Sequence, residues 1–86
     1  MTDPVHEVLK ANADSTKRGK LSMWTIYDRP RDYPEGFIAR RFEFDTPTGD
    51  TLKGELDEIR KVLWQAGLLK LTRNDQDEPQ IVETWV

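Results

Sequence analysis

The sequence contains no cysteine and only one histidine, His6. Without cysteine, the chain has neither disulfide bonds nor thiolate ligands for a metal ion. Long apolar runs are absent too, because no stretch approaches the roughly 18–20 residues that a transmembrane helix needs. In the first 20 residues the basic side chains follow the few apolar ones, which is the reverse of a secretory signal peptide. Together these features predict a soluble protein of the reducing cytoplasm.

The residue types that carry most catalysis are also scarce. His6 lies in a polar segment with few apolar neighbours to hold it in place, so we expect a solvated side chain rather than a general base. The pair Asp57 and Glu58 falls at the start of a predicted helix, where the helix dipole favours acidic residues. Residues 74–78, "NDQDE", hold three carboxylates but lack the glycine and the terminal glutamate of a calcium loop. We therefore predict a protein that is not an enzyme and that binds neither a metal ion nor a cofactor.

The length of the chain, 86 residues, is enough for one small domain. A chain of this size buries only roughly 60–65% of the surface that it exposes when unfolded. Its free energy of unfolding is therefore expected to be on the order of 5 kcal/mol, which leaves little for a strained active site.

The first 20 residues are small, polar and charged, and they predict a tail that is disordered or partly helical. One short helix is suggested by Asp3 as an N-cap and by Pro4 at the first helical position. The apolar residues on its inner face are Val5, Val8 and Leu9. Three apolar residues on two turns are too few to stabilise an isolated helix. We therefore divide the chain into a tail, 1–20, and a single domain, 21–86.

The sequence of the domain, 21–86, predicts the element order ββαββ. Four segments are rich in β-branched and aromatic residues and are expected to be strands: "LSMWTIYD", "FIARRFEFD", "LLKLTR" and "QIVETWV". Apolar residues at helical spacing begin at Leu52 and continue through the segment "GELDEIRKVLWQAG", residues 54–67, so we expect a helix there. Gly67 is its expected C-terminal cap. The segment "DTPTGDT" before it predicts a turn. One helix on one face of a four-stranded, mostly antiparallel sheet is the economical α+β arrangement.

Side-chain alternation assigns faces to the second and the last strand. In the second strand we expect the more apolar set to face the core, with Arg40 near the rim. That set is Ile38, Arg40, Phe42 and Phe44. The last strand, "QIVETWV", accepts a partner strand or a second copy if it lies at a sheet edge, and then a weak homodimer forms. If the strand lies inside the sheet, the protein is a monomer.

The net charge of −3 is unevenly distributed. Residues 1–41 carry a charge of +2 and residues 42–86 carry −5. Within 17–41, seven basic residues face three acidic ones. A basic quarter followed by an acidic half indicates either an anionic partner or internal complementarity between the two.

The best candidate site is the segment "YDRPRDYPEG", residues 27–36, which joins the first two strands with more residues than a hairpin needs. Each proline restricts the residue before it to an extended conformation, and "YPEG" favours a β-turn, so we expect a stiff loop. Stiffness lowers the entropy cost of presenting side chains to a ligand, and guanidinium groups bind anions with paired donors. The predicted binding residues are Arg29, Arg31, Asp32, Tyr33, Arg40 and Arg41.

Three interpretations of this segment stay open. In the first, Asp28, Asp32 and Glu35 neutralise the arginines locally, and the loop has no partner. In the second, it binds a protein or a small anion. In the third, the basic 17–41 segment binds single-stranded RNA on a stacking platform of strand aromatics. That alternative adds Lys17, Arg18 and Lys20 to the arginines, and it uses Trp24, Tyr27, Tyr33 and Phe37. The isoelectric point of about 5.1 argues against nucleic acid.

The segments "MWTIYDRPRDYPEGFIARRFE" and "DEPQIVETWV" resemble a family of small uncharacterised bacterial proteins with a Met-Trp-Thr-Ile/Val-Tyr and a Phe-Ile/Val-Ala-Arg-Arg-Phe motif. The matching residues are Met23 to Tyr27, Pro30, Asp32 to Pro34, Phe37 to Phe42, Gly49 to Thr51 and Pro79 to Glu83. The resemblance covers about residues 22–86 and implies a bacterial cytoplasmic protein. It carries over no catalytic or binding residue.

Overall fold

The computed structural model describes residues 3–71 and 80–86, which form two helices and five strands. In chain order these are α1 Pro4–Lys17, β1 Ser22–Asp28, β2 Phe37–Glu43, β3 Thr46–Gly54, α2 Leu56–Gln65, β4 Lys70–Leu71 and β5 Ile81–Trp85. The strands make one antiparallel sheet of order β3-β2-β1-β5-β4. The α+β class is confirmed. The predicted ββαββ order, with one helix and four strands, is wrong because it omits α1 and β3.

The additional helix, α1, begins where the sequence predicts a helix start. The Asp3 carboxylate accepts a hydrogen bond from the backbone N–H of Val5 at 2.9 Å, and Pro4 follows the cap. The helix continues to Lys17 and packs on the core, with Val8 and Ser15 fully buried. The segment expected to be a loose tail therefore contains a docked helix. An apolar pattern does not reveal it, because one of its two buried contacts is a serine.

The additional strand, β3, includes most of the segment predicted to be a turn. The chain reverses in the two residues before β3, where Phe44 takes a φ of 57°. The β2–β3 register shifts between Arg40 and Phe42, so β3 bulges there, and Gly49 adopts a φ of 91°. The proline, glycine and aspartate near this bulge interrupt the alternation of apolar and polar residues that predicts a strand. Leu52, assigned from its spacing to the helical stripe, lies in β3 and packs against the core.

Both helices cover the same face of the sheet, because they share one core with it. The buried members of that core are Val8, Trp24, Ile26, Ala39, Ile59, Leu63, Ala66, Leu68 and Trp85. Within α2 the predicted stripe is confirmed, since Ile59 and Leu63 are its buried residues. None of the helices in the described part of the chain is long and apolar enough to cross a bilayer.

The face of β2 that packs on the helices is the opposite of the predicted one. Ala39 is fully buried in the core, and Phe37 packs against it. Arg41 alternates onto the same side and is only 5% exposed. The prediction failed because it chose the more apolar set of side chains, whereas the set that faces the helices includes Arg41, which is buried with polar partners. Ile38 and Phe42 lie on the other side of the sheet.

The last strand, β5, lies between β1 and β4. It therefore lies inside the sheet, with β4 paired to Thr84 and Trp85, and not at the edge that the predicted homodimer through "QIVETWV" needs. The sheet edges are the nine-residue β3 and the two-residue β4. The predicted polar loop at 74–78 and the end of the segment "LLKLTR" lie outside the described residues.

Candidate functional site

One face of the sheet carries neither α1 nor α2. A shallow groove of about 280 Å³ lies on it. The groove is lined by Met23, Thr25, Tyr27, Phe42, Phe44, Asp45, Ile81 and Thr84. In β1 these residues alternate with the buried core residues Trp24 and Ile26, as expected for the two sides of a strand. Ile38, Arg40 and Lys53 point to the same side, because they pair with or alternate with these residues in the ladder. We call this side of the sheet the open face.

Three large apolar side chains are exposed at the end of the open face near the start of β1. Phe44 is 55% exposed and lines the groove. Leu71 pairs with the groove residue Thr84 and is 42% exposed. Leu69, two residues earlier and therefore on the same side, is 71% exposed. We call Phe44, Leu69 and Leu71 the apolar patch.

The loop of residues 28–36 packs back onto the other end of the open face. The carboxylate of Asp32 pairs with the Arg40 guanidinium, which in turn lies 5.0 Å from the centre of the Tyr27 ring. The Lys53 ammonium lies 5.1 Å from the centre of the Tyr33 ring. Cations over aromatic faces are attracted by the ring quadrupole. The loop and strands β1, β2 and β3 therefore share one surface of interleaved cations and rings.

Backbone contacts hold the loop in a fixed shape. The Arg29 N–H donates to the Gly36 carbonyl at 3.0 Å, and the Tyr33 N–H donates to the Pro30 carbonyl at 2.9 Å. Pro30 is buried. Arg29 adopts a φ of 44°, so it is not in the extended conformation that Pro30 was expected to impose on it. The loop contains a tight turn from Pro30 to Tyr33 and a second turn at Pro34 and Glu35, where "YPEG" predicts one, and it closes across its base.

The six predicted binding residues do not all come together. Asp32, Tyr33 and Arg40 lie on the shared surface just described. Arg29 pairs with the adjacent Asp28 at 3.0 Å, and its side chain is 64% exposed. Arg31 is exposed and forms no ion pair with any residue in 3–71 or 80–86. Local neutralisation thus applies to Arg29 and Arg40 but leaves Arg31 available.

The ion pair in the loop affects the titration of Asp32. The hydrogen bond from Arg40 holds the pKa of the Asp32 carboxyl below its ordinary value. Asp32 is therefore ionised in its pair with Arg40 at neutral pH. The positive charge of Arg40 is largely balanced at this point of the surface.

The sixth residue, Arg41, lies on the helix side of the sheet and does not contribute to the loop surface. Its Nε donates to the Asp50 carboxylate at 2.8 Å, and its Nη1 donates to the hydroxyls of Ser15 and Ser22. The Ser15 hydroxyl in turn donates to Glu43 at 2.6 Å. Arg41 thus ties α1 to three strands, and we assign it a structural role.

The residues of the RNA alternative are also divided between the two sides. Trp24 is 2% exposed in the core, and Phe37 packs against the core. Arg18 pairs with Asp14 at 2.9 Å and also with Glu43. Only Tyr27 and Tyr33, of the four proposed stacking residues, lie on the open-face side.

Four residues of this surface, Lys53, Phe44, Leu69 and Leu71, were not predicted from the sequence. Lys53 was hidden because its segment was predicted to belong to a turn and a helix start, and only the alternation of β3 places it beside Tyr33. Phe44 was expected in the core, and Leu69 and Leu71 carried no signal that separated exposed from buried leucine. Within the described ranges, no three histidine or carboxylate side chains come together to hold a metal ion. The absence of a metal site from the whole chain stays a prediction.

The family and the function of this chain receive no support from known proteins. No protein-family model, no curated protein and no solved structure matches the chain. The resemblance to small bacterial proteins therefore stays a prediction from the motifs.

Proposed function

We propose that the protein is a non-catalytic binding module, and that its open face and the loop 28–36 bind a protein partner through an acidic and apolar surface of that partner. The observation that carries the proposal is the docking of the loop onto the open face through Asp32, Tyr33, Arg40 and Lys53. Cationic groups and exposed apolar side chains thereby belong to one continuous side of the sheet. The resemblance to small bacterial proteins supports placing this module in the bacterial cytoplasm.

The cationic end of the surface favours an anionic group on the partner. Arg31 is exposed, and Lys53 lies over the Tyr33 ring rather than in an ion pair. Side chains that are already held in place lose less conformational entropy when a ligand binds. Among residues 3–71 and 80–86, neither Arg31 nor Lys53 forms an ion pair, so we assign these two cations to the acidic side chains of a partner.

The apolar patch favours a protein over a small anion or RNA. A single exposed leucine is unremarkable on a protein surface, but Phe44, Leu69 and Leu71 expose much of their area on one side of one sheet. Leucine offers no ring on which a base can stack, so two of these three side chains contribute nothing to a stacking platform. Apolar contact at one end and charge pairing at the other fit a protein surface better.

Site-specific photo-cross-linking tests this proposal. Because the chain has no cysteine, a single introduced cysteine can carry a photoreactive maleimide. Leu71→Cys places the probe on the open face, and Lys61→Cys places a matched probe on an exposed position of α2. Both labelled proteins are irradiated in a lysate of the source cells.

We expect a discrete protein adduct from Leu71→Cys and none from Lys61→Cys. Adding Arg31→Glu and Lys53→Glu to Leu71→Cys should abolish the adduct, because the substitutions reverse the charge that attracts the partner. Equal adducts from both probes, or none from either, would contradict the proposal. An adduct that ribonuclease removes would support the RNA alternative instead.

A further inference from the structure

A second surface lies at the β3 edge, on the helix-covered side of the sheet. A groove of about 720 Å³ runs between α1 and β3, within the volume range of ligand-binding clefts. Its floor is formed by Val8, Trp24 and Leu52, and Ala11 contributes to its α1 wall. The α1 residues that line it between Pro4 and Lys17 follow a helical stripe, so one whole side of α1 faces the groove.

The hydrogen-bond pattern of the sheet shows which β3 backbone groups point outward. In an antiparallel ladder, hydrogen-bonded and non-hydrogen-bonded pairs alternate. The Arg29 N–H donates to the Gly36 carbonyl, so Arg29 and Gly36 are a hydrogen-bonded pair. Every second pair along β1 and β2 is then also hydrogen-bonded, and Thr25 with Arg40 is one of these pairs. The backbone of Ala39 then faces β3 and bonds to Leu52. The flanking residues, whose N–H and C=O groups face away from β2, are Thr51 and Lys53.

Features that block the pairing of a further strand are present in the first half of β3 but not in the second half. Proteins protect edge strands with prolines, bulges and charged side chains. Pro47 and the bulge near Gly49 protect the beginning of β3. Lys53 is the charged residue of the second half, but its ammonium lies over the Tyr33 ring on the open face. The residues from Thr51 to Gly54 therefore present an open strand edge next to a groove.

The charge of the groove favours a neutral occupant. The lining contains three cations and three carboxylates, so its formal charge is zero. These residues are Lys10, Lys17, Arg41, Glu7, Asp14 and Asp50. A polyanion such as nucleic acid gains nothing from a lining of zero net charge. An extended polypeptide, whose backbone is neutral and carries donors and acceptors in alternation, fits both the edge and the groove.

We propose that the β3 edge binds an extended segment of another protein, which adds as a sixth strand along Thr51–Gly54. The outward groups of Thr51 and Lys53 supply the backbone hydrogen bonds, as in other cases of strand addition. The residue opposite Leu52 lies on the same side as Leu52 and inserts an apolar side chain into the groove beside Ala11. This surface uses the backbone of Lys53, whereas the open face uses its side chain, so each proposal has its own test.

The test selects binders from a phage-displayed library of random eight-residue peptides and measures the affinity of the synthetic peptides. Thr51→Pro removes an outward N–H without touching the β2 ladder, and Thr51→Val is the matched control that keeps it. We expect selected peptides to share an apolar residue at alternate positions. Thr51→Pro should weaken binding about tenfold, the loss of roughly one backbone hydrogen bond, and Thr51→Val should leave it within about twofold.

Amide hydrogen exchange of the unsubstituted protein keeps the test valid if Thr51→Pro does not fold. With peptide added, exchange at Thr51 and Lys53 should slow, while the loop 28–36 stays unchanged. The proposal is overturned if the library yields no binder, if Thr51→Pro and Thr51→Val bind equally, or if protection appears in the loop 28–36 or in β1 and not at Thr51 and Lys53. A dimer in sedimentation that Thr51→Pro dissociates would identify a second copy as the occupant and would also overturn it.

Discussion

Removal of Arg60 should leave a buried carboxylate without its counter-ion. Glu83, in the interior strand β5, is 5% exposed. Arg60 of α2 binds it with two hydrogen bonds, from Nε at 2.7 Å and from Nη2 at 3.0 Å, and the Trp85 indole N–H donates a third at 3.1 Å. Burial raises the pKa of Glu83, but the hydrogen bonds from Arg60 and Trp85 outweigh it, so the pKa lies below the ordinary value.

The size of the effect of Arg60→Met follows from this geometry. Removing one partner of a fully buried ion pair costs about 3–5 kcal/mol. The Arg60 side chain is 39% exposed, so water screens part of the interaction. We therefore expect a loss of about 2 kcal/mol at pH 7, a large fraction of a stability on the order of 5 kcal/mol.

The pH dependence separates this cause from a loss of packing. With Arg60 the pKa of folded Glu83 is lowered, so its stabilisation is present above the ordinary value of 4.5 and is lost as the pH falls through the lowered value. Without Arg60, burial dominates and raises that pKa, so the variant gains stability on protonation. The difference between the two proteins should therefore shrink as the pH falls from 7 towards 4.

Urea unfolding followed by tryptophan fluorescence measures these free energies, since Trp24 and Trp85 are buried. Lys61→Met is the matched control, because Lys61 is the exposed neighbour on α2 and should change stability by less than about 0.5 kcal/mol. Adding Glu83→Gln to Arg60→Met should restore most of the loss. The reasoning is refuted if Arg60→Met costs no more than Lys61→Met, or if its cost is the same at pH 4 and pH 7.

Three further predictions concern the core and the docking of α1. Ile26→Ala, at a fully buried position of the central strand, should lower the unfolding free energy by about 3 kcal/mol in urea denaturation, and a loss under about 1 kcal/mol would contradict the core assignment. Hydrogen bonds from Arg18 and Ser15 hold the pKa of Glu43 below its ordinary value of 4.5, so the stabilisation of α1 docking should be lost below that pH; amide exchange in α1 that does not accelerate in acid would refute this. Trp64, 70% exposed, should be quenched by iodide in the folded protein, and Trp64→Ser should change the midpoint of urea unfolding little.

Elements whose burial is apolar and regular could be predicted from the sequence. The α2 stripe with Ile59 and Leu63 has the spacing of an amphipathic helix, and Trp24 and Ile26 alternate as strand residues do. These signals depend only on local periodicity, so no tertiary information is needed to interpret them.

The missed elements are those in which polar contacts replace apolar burial. The helix α1 docks through Ser15, whose hydroxyl binds Glu43 from a strand 28 residues away. The same cluster buries Arg41 and thereby reversed the predicted face of β2. Partners that are distant in the sequence decide whether a serine or an arginine is buried, and no local pattern contains that information.

The candidate site was predicted in part for the same reason. The segment "YPEG" predicted a turn, and Pro34 and Glu35 lie in a turn. Which arginine is free depends on pairings across strands: Asp32 binds Arg40 eight residues away rather than the neighbouring Arg31. Lys53 enters the surface only through the β2–β3 register, so its role could not be inferred without the sheet.

Methyl NMR of leucine-labelled protein shows which surface contacts the partner. If the apolar patch and the loop form the binding surface, the methyl signals of Leu69 and Leu71 should shift when the cross-linked partner protein is added in purified form. Leu9, 47% exposed on α1, is the matched control and should not move. Shifts at Leu9 with none at Leu69 and Leu71 would contradict the account.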